Sequence, residues 1–262
     1  MAHHRNPLFS PTTGISPSGN CALDWLHTLS SGIFQFWVAI ALDRMFIVDF
    51  WATHQTGIEQ KRIQSCAPLA AQFSGWVRRE NKKGRNLTEI GQMEHQMFGS
   101  NVQPSCNLKA GETNAFLEFL LWLLRDRWGE LGADIGKAIY DAGTHLFSLL
   151  DLIRKHKKRM PANAIQRFHF HAKSYLTLVP ILGMHYKPKD HMLMELSLRL
   201  ARFGSPKLYG CWTDESLNRL LRDVAGGAHS TVHERRVLVE FPKAHDNLRA
   251  GRSITGKRQR EQ

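Results

Sequence analysis

The stretch AGETNAFLEFLLWLLRDRW, residues 110–128, constrains the fold more than any other part of the sequence. Phe116, Leu117, Leu120, Leu121, Leu124 and Trp128 recur at three- and four-residue spacings, which predicts an amphipathic helix with Thr113 as its cap. Such a helix needs neighbours to bury its apolar side, and the sequence supplies them. After a glycine-marked break at Gly129 to Gly132, Ile135, Ile139, Leu146, Leu149, Leu150 and Ile153 predict a second helix. Pro161 and Asn163 open a third, which runs through Phe168, Phe170, Tyr175 and Leu178 to Pro180.

Upstream, the most apolar run, Ile33 to Trp51, is interrupted by Asp43, Arg44 and Asp49. Charges at that density are costly in a bilayer, so the run predicts a buried helix and not a membrane span. Ile58, Ile63, Leu69, Phe73 and Trp76 predict one or two helices meeting near Pro68. Residues 80–108, broken by Gly84, Gly99 and Pro104, read as a long connection with a short helix around Leu87 to Phe98. RRVLVEF at 235–241 is the one strand candidate, and it equally extends a preceding helix. The expected class is mostly α, a helical bundle. A flexible leader at 1–20, a helical domain at 21–241 and a basic disordered tail at 242–262 are the expected divisions.

A hydrophobic content of 42% over 262 residues is enough for a buried core. Lys and Arg number 35 against 23 acids, and the resulting net charge of +12 favours a polyanionic partner such as nucleic acid or an anionic membrane surface. The excess is concentrated in RRENKKGR at 78–85, RKHKKR at 154–159 and RSITGKRQR at 252–260. The candidate nucleic-acid contacts are Arg78, Arg79, Lys82, Lys83 and Arg85 from the first block and Arg154, Lys155, Lys157, Lys158 and Arg159 from the second. Lys187 and Lys189 join them. The third block suits a nuclear-import signal or a plain mobile tail. Cys21, Cys66, Cys106 and Cys211 are widely spaced with no CxxC pair, which argues against a zinc ribbon or a disulfide framework and fits a reducing compartment. No GxGxxG, GxxxxGK[ST] or GxSxG is present, so dinucleotide, P-loop and hydrolase-elbow chemistry have no positive support.

His169 and His171 are two apart, so on a helix they point to different sides and do not share one ion. The aromatic and basic residues of QRFHFHAKSY suit base stacking or, equally, an amphipathic helix with a basic face. Residues 185–224 carry the densest set of polar groups. A helix is expected to start at or just after Asp190, with His191 in its first turn, and to break at Gly204, Ser205 and Pro206. Thr213 can cap a further helix opened by Asp214 and Glu215, carboxylates that suit a helix N-terminus. Asp24 and His27, three apart, share a helical face, as a capping carboxylate beside a histidine or as part of a site.

The order LDWLHTL, KAGETNAFLEFLLWLL, YKPKDHMLMEL and RFGSPKLYGCWTDESLN resembles the C-terminal half of eukaryotic DDE transposases of the CACTA type. That resemblance implies a mostly helical insertion into a ribonuclease-H-like core, opening on a [C/D]xxH motif and followed by the last catalytic glutamate. It carries Asp24 and His27 onto the motif, Glu215 onto the last acid and metal ligand, and His191 onto a histidine before an FGP-like turn at Phe203 to Pro206. The first two aspartates have no counterpart, since about 20 residues precede the motif, and the turn reads FGSP. Two-metal phosphoryl chemistry needs several carboxylates, so Mg²⁺ is expected only where another chain completes the site.

The resemblance therefore implies a transposase-derived, catalytically incomplete nuclear protein that binds DNA or partner subunits, including a missing N-terminal transposase half, with remnants of the core at its edge. The alternative is a cytoplasmic helical protein-interaction module with no nucleic-acid role.

Overall fold

In the computed structural model, which describes residues 22–100 and 104–210, the chain winds its first turns as a π-helix, Leu26–Phe34, before passing into α1, Gln35–Ile47. Contacts divide the chain into two units, Met1–Tyr209 and Gly210–Gln262, and every described helix belongs to the first. Asp214, Glu215, RRVLVEF and the basic tail lie outside the described residues. Asp24 starts the winding: its carboxylate accepts the Leu26 N–H at 3.0 Å and the His27 N–H at 3.3 Å. Ser31 leaves helical geometry at φ −91°, ψ 21°, which kinks the segment.

Two of the three charges that interrupt this apolar run find partners across the bundle, while Asp49 accepts from Thr53 and His54 in the turn that follows. Asp43 accepts from Arg62, and Arg44 Nε donates to the Leu131 carbonyl at 2.8 Å. No helix among the described residues is long and apolar enough to cross a membrane.

Helix α2, Ile58–Lys82, runs unbroken through Pro68. Proline there deprives the Gln64 carbonyl of its helical donor. Burial of Leu69, Phe73, Trp76 and Val77 on the following turns offsets that loss. The chain turns away at Gly84, whose φ of 84° is left-handed, and Asn81 Oδ1 accepts the Leu87 N–H at 2.8 Å to hold the exit. The connection to α3 contains a single 3₁₀ turn, His95–Phe98, among its described residues, and an isolated bridge between Gly99 and Pro104.

Arg62, only 1% exposed, supports that connection from within. Its Nη1 donates to the Gly99 carbonyl at 2.6 Å, its Nη2 to Asp43 at 2.5 Å, and its guanidinium lies 5.5 Å from the centre of the Phe46 ring.

Helix α3, Ala110–Leu124, departs from the amphipathic pattern predicted for it. Thr113, Asn114, Ala115, Phe116, Leu117, Glu118, Phe119 and Leu120 are buried in succession, around its whole circumference. It packs against the π-helix, α1, α2 and the helix that follows, and over 113–120 a stretch enclosed on all sides keeps no polar face. It also starts earlier than predicted. Glu112 accepts the Lys109 N–H at 2.9 Å, which leaves Thr113 inside the first turn, donating to the Lys109 carbonyl at 3.0 Å. Phe73 meets Phe116 and Phe119 at ring separations of 5.0 and 5.4 Å, joining α2 to α3.

Helices α4, Ala133–Lys155, α5, Ala162–Leu178, and α6, Pro188–Phe203, complete a helical bundle with no strand among the described residues. At Gly143, where α4 meets α1, a Cβ would stand 2.2 Å from Trp37 Cζ2, so only glycine admits the indole. Trp37 is fully buried and its N–H donates to the Ile139 carbonyl at 2.9 Å. Asp190 lies inside α6 and caps it, accepting the Lys187 N–H at 2.8 Å. Helix α6 then closes on the π-helix, where Lys189 Nζ donates to the Ser31 carbonyl at 2.7 Å. Cys66 and Cys106 are buried free thiols, and burial pushes them up to about 11 and about 12.

Arg62→Ala removes the partner of Asp43 and of the Gly99 carbonyl together, so it is expected to cost about 3–5 kcal/mol of stability. At roughly 2–4 °C per kcal/mol for a chain of this size, calorimetry should record a Tm lower by about 6–20 °C. A shift under about 2 °C would show that the long connection does not depend on this cation.

Candidate nucleic-acid interface

Glu118 projects from the enclosed helix α3 with its side chain only 4% exposed. A carboxylate so placed must be paired. Both of its oxygens are taken: Arg85, beyond the end of α2, donates to Oε2, and Arg154, in the last turn of α4, donates to Oε1 at 2.5 Å. Arg85 also lies 3.5 Å from Glu80 Oε2. Burial works against its charge, but Glu118 and Glu80 outweigh that and raise its pKa. The two basic blocks, separated by about 70 residues in the sequence, are thereby brought to one carboxylate.

The remaining cations of those blocks surround this junction in sequence. Lys83 pairs with Glu80 at 2.7 Å and Lys155 with Asp151 at 2.7 Å. Arg79 lies 3.8 Å from Glu80, and its guanidinium covers the Trp122 ring at 4.7 Å. Arg78, Lys82, Lys157, Lys158 and Arg159 are exposed, and among the described residues they make no ion pair. Lys187 and Lys189 serve the chain itself, Lys187 Nζ lying 3.2 Å from the centre of the Phe36 ring and Lys189 on Ser31. Burial lowers the Lys187 pKa against the pull of Asp190.

Beside the Glu118 junction opens a pocket of about 350 Å³. Trp76, Leu121, Trp122, Tyr140 and Phe147 form its apolar walls, and Glu80, Arg85, Glu118, Arg125 and Thr144 its polar ones. Among the described residues, Arg125 is paired only with its neighbour Asp126, at 3.0 Å. Trp122 remains 41% exposed, unusual for an indole on the central helix.

The other predicted site residues divide into pairs with local roles. Asp24 caps the π-helix and its Oδ2 accepts from His27 Nδ1, a histidine 55% exposed. The approach of either residue to Glu215, which the transposase resemblance implies, lies outside the described residues. His169 and His171 do point apart. Nδ1 of His169 reaches Ser197 Oγ on α6 at 3.1 Å, while Nδ1 of His171 meets Nδ1 of His145 on α4 at 3.0 Å. Burial lowers the pKa of His145, against the pull of Asp141, and that of His171, with His145 and Arg167 adding to it. No group of three or more His, Cys, Asp or Glu among the described residues is placed to hold a metal ion.

Sequence reasoning singled out none of Glu118, Trp122 or His145. A lone acid inside FLEFLLWLL was the one available sign, because an unpaired carboxylate has no place in an apolar helix. No family model matches the chain, and neither the curated proteins nor the solved structures contain a match.

Two outcomes test this arrangement. Glu118→Ala releases two charge-assisted hydrogen bonds and is expected to lower stability by about 2–3 kcal/mol in a denaturant titration. An unchanged midpoint would show that both arginines rehydrate freely. The histidine pair sets a pH dependence. With both folded pKa values below the ordinary 6.5, the unfolded chain takes up protons first as pH falls. The pair's contribution is therefore full above about 6.5 and declines below it. Between about pH 7 and 5, stability should fall less steeply in His145→Gln than in the native sequence. Parallel curves would remove the pair from the pH response.

Proposed function

We propose that this chain is a nucleic-acid-binding protein whose contact face is built from the 78–85 and 154–159 blocks. The observation that carries the reading is the meeting of Arg85 and Arg154 on Glu118, which joins the two blocks. Basic segments scattered over a surface would each see solvent alone, whereas joined segments sum their fields over one region. Arg85 and Arg154 are fixed by the buried acid and act as the frame. Arg78, Arg79, Lys82, Lys157, Lys158 and Arg159 are the groups with charge to offer a phosphate backbone. The net charge of +12 supports a polyanionic partner, and the order of motifs resembling CACTA-type transposases supports DNA in particular.

We place no catalytic step on the chain alone. Asp24 has a capping role, its carboxylate accepting the Leu26 and His27 N–H groups. The chain is on this reading a DNA-binding derivative of a mobile-element protein, acting by itself or with a partner subunit.

Binding of a fluorescent duplex, followed by anisotropy across a salt series, tests it. Contact with about five phosphates gives a slope of log K against log salt near −4.5. Replacing Lys157, Lys158 and Arg159 together by alanine should weaken binding and reduce that slope by roughly 2–3. Affinity that stays flat as salt rises, or is unchanged in the triple variant, overturns the reading in favour of a helical protein-interaction module.

A further inference from the structure

We propose that the pocket between α2, α3 and α4 takes one unpaired nucleobase from a single-stranded or locally opened stretch of DNA, an inference that rests on the nucleic-acid reading above. Charge is the first reason. Two arginines, Arg85 and Arg125, and two acids, Glu80 and Glu118, line the pocket, so its lining carries both signs in equal number. A free phosphate or carboxylate gains little there. On the two basic blocks that meet at Glu118, Arg78, Lys82 and the 157–159 cations are exposed and make no ion pair among the described residues. The complementary occupant is neutral where it enters the pocket and anionic where it leaves. A base on a sugar-phosphate strand has that distribution.

The lining points to the same chemistry. Trp76, Trp122, Tyr140 and Phe147 present aromatic surface from three helices, and every base has a π-face to lay against one. A purely apolar ligand would use only the aromatic walls and none of the donor and acceptor capacity that the four charged side chains keep beyond their own ion pairs. A base does not, because its edge carries donors and acceptors together. Each Glu118 oxygen accepts one arginine hydrogen bond and retains acceptor capacity, and Arg85 holds more N–H groups than its two acids use. The volume, about 350 Å³, is at the small end of ligand pockets, suited to one nucleotide and not to a duplex. Arg79 lies over the Trp122 ring at 4.7 Å, so a base stacking on that face takes the place of the guanidinium.

The test compares a fluorescent single strand with a duplex of matched sequence, using the full chain at fixed salt. A 2-aminopurine placed in the single strand reports transfer of its base into aromatic surroundings. The single strand is expected to bind at least tenfold more tightly than the duplex, with a change in 2-aminopurine emission. Trp122→Ala should lower the ratio of single-strand to duplex affinity by about 5- to 150-fold, the range for one lost stacking partner. Thr144→Phe, which fills the pocket from its exposed rim, should lower the same ratio without removing an aromatic or charged wall residue, and its folding is read from circular dichroism. Equal binding of both forms, or an unchanged ratio in both variants, overturns the pocket assignment. In that case a steep salt dependence still upholds the basic face. Loss of salt dependence together with absent binding removes both.

Discussion

A buried carboxylate cannot stay ionised without partners, and Glu118 is the point at which the two basic blocks, through Arg85 and Arg154, are tied together. Its position on the most enclosed helix dictates that positive groups be brought to it from elsewhere. Arg85 arrives from the end of α2 and Arg154 from the end of α4, so the chain must exit both helices near the same place. The exit of α2 is held by Gly84 and by Asn81 on Leu87. Basic residues that would otherwise repel one another are thus held near one acid, and local sequence carries no trace of the meeting.

Arg62 applies the same rule with the sign reversed. It is a cation in the interior, and its partners come from α1 and from an irregular connection with little regular structure of its own. Asp43 and the Gly99 carbonyl are held by one side chain, so the long connection acquires a fixed place next to Phe98, which stacks on Phe116. The charges that break the apolar run 33–51 are then structural necessities: Asp43 and Arg44 each reach an interior partner.

Helices with strong periodicity were legible in the sequence. Ala133–Lys155 follows the predicted spacing closely, and Ala162–Leu178 forms where predicted, burying Phe168 and Tyr175 but leaving Phe170 exposed. What local periodicity misjudges has a common cause in three-dimensional surroundings. Helix α3 looks amphipathic because Glu112, Thr113, Asn114 and Glu118 are polar letters, yet Glu112 is an N-terminal cap and Glu118 an interior ion. Pro68 reads as a boundary between helices, yet packing on both sides of it carries α2 through. The basic blocks are visible as composition, whereas their junction is not, and neither is the pairing of His145 with His171 across two helices. Contacts between residues distant in sequence belong to the packing, and a single sequence names only their ingredients.

The two interior thiols carry a consequence of a different kind. Burial keeps Cys66 and Cys106 protonated near neutral pH, and a protonated, enclosed thiol neither attacks disulfides nor takes up alkylating reagents at a useful rate. Each becomes reactive only while the elements around it stand apart. Cys66 lies in the first half of α2, and Cys106 in the connection before α3. The molecule thus carries two internal clocks, whose rates of modification report separately how often a regular helix and an irregular loop come open.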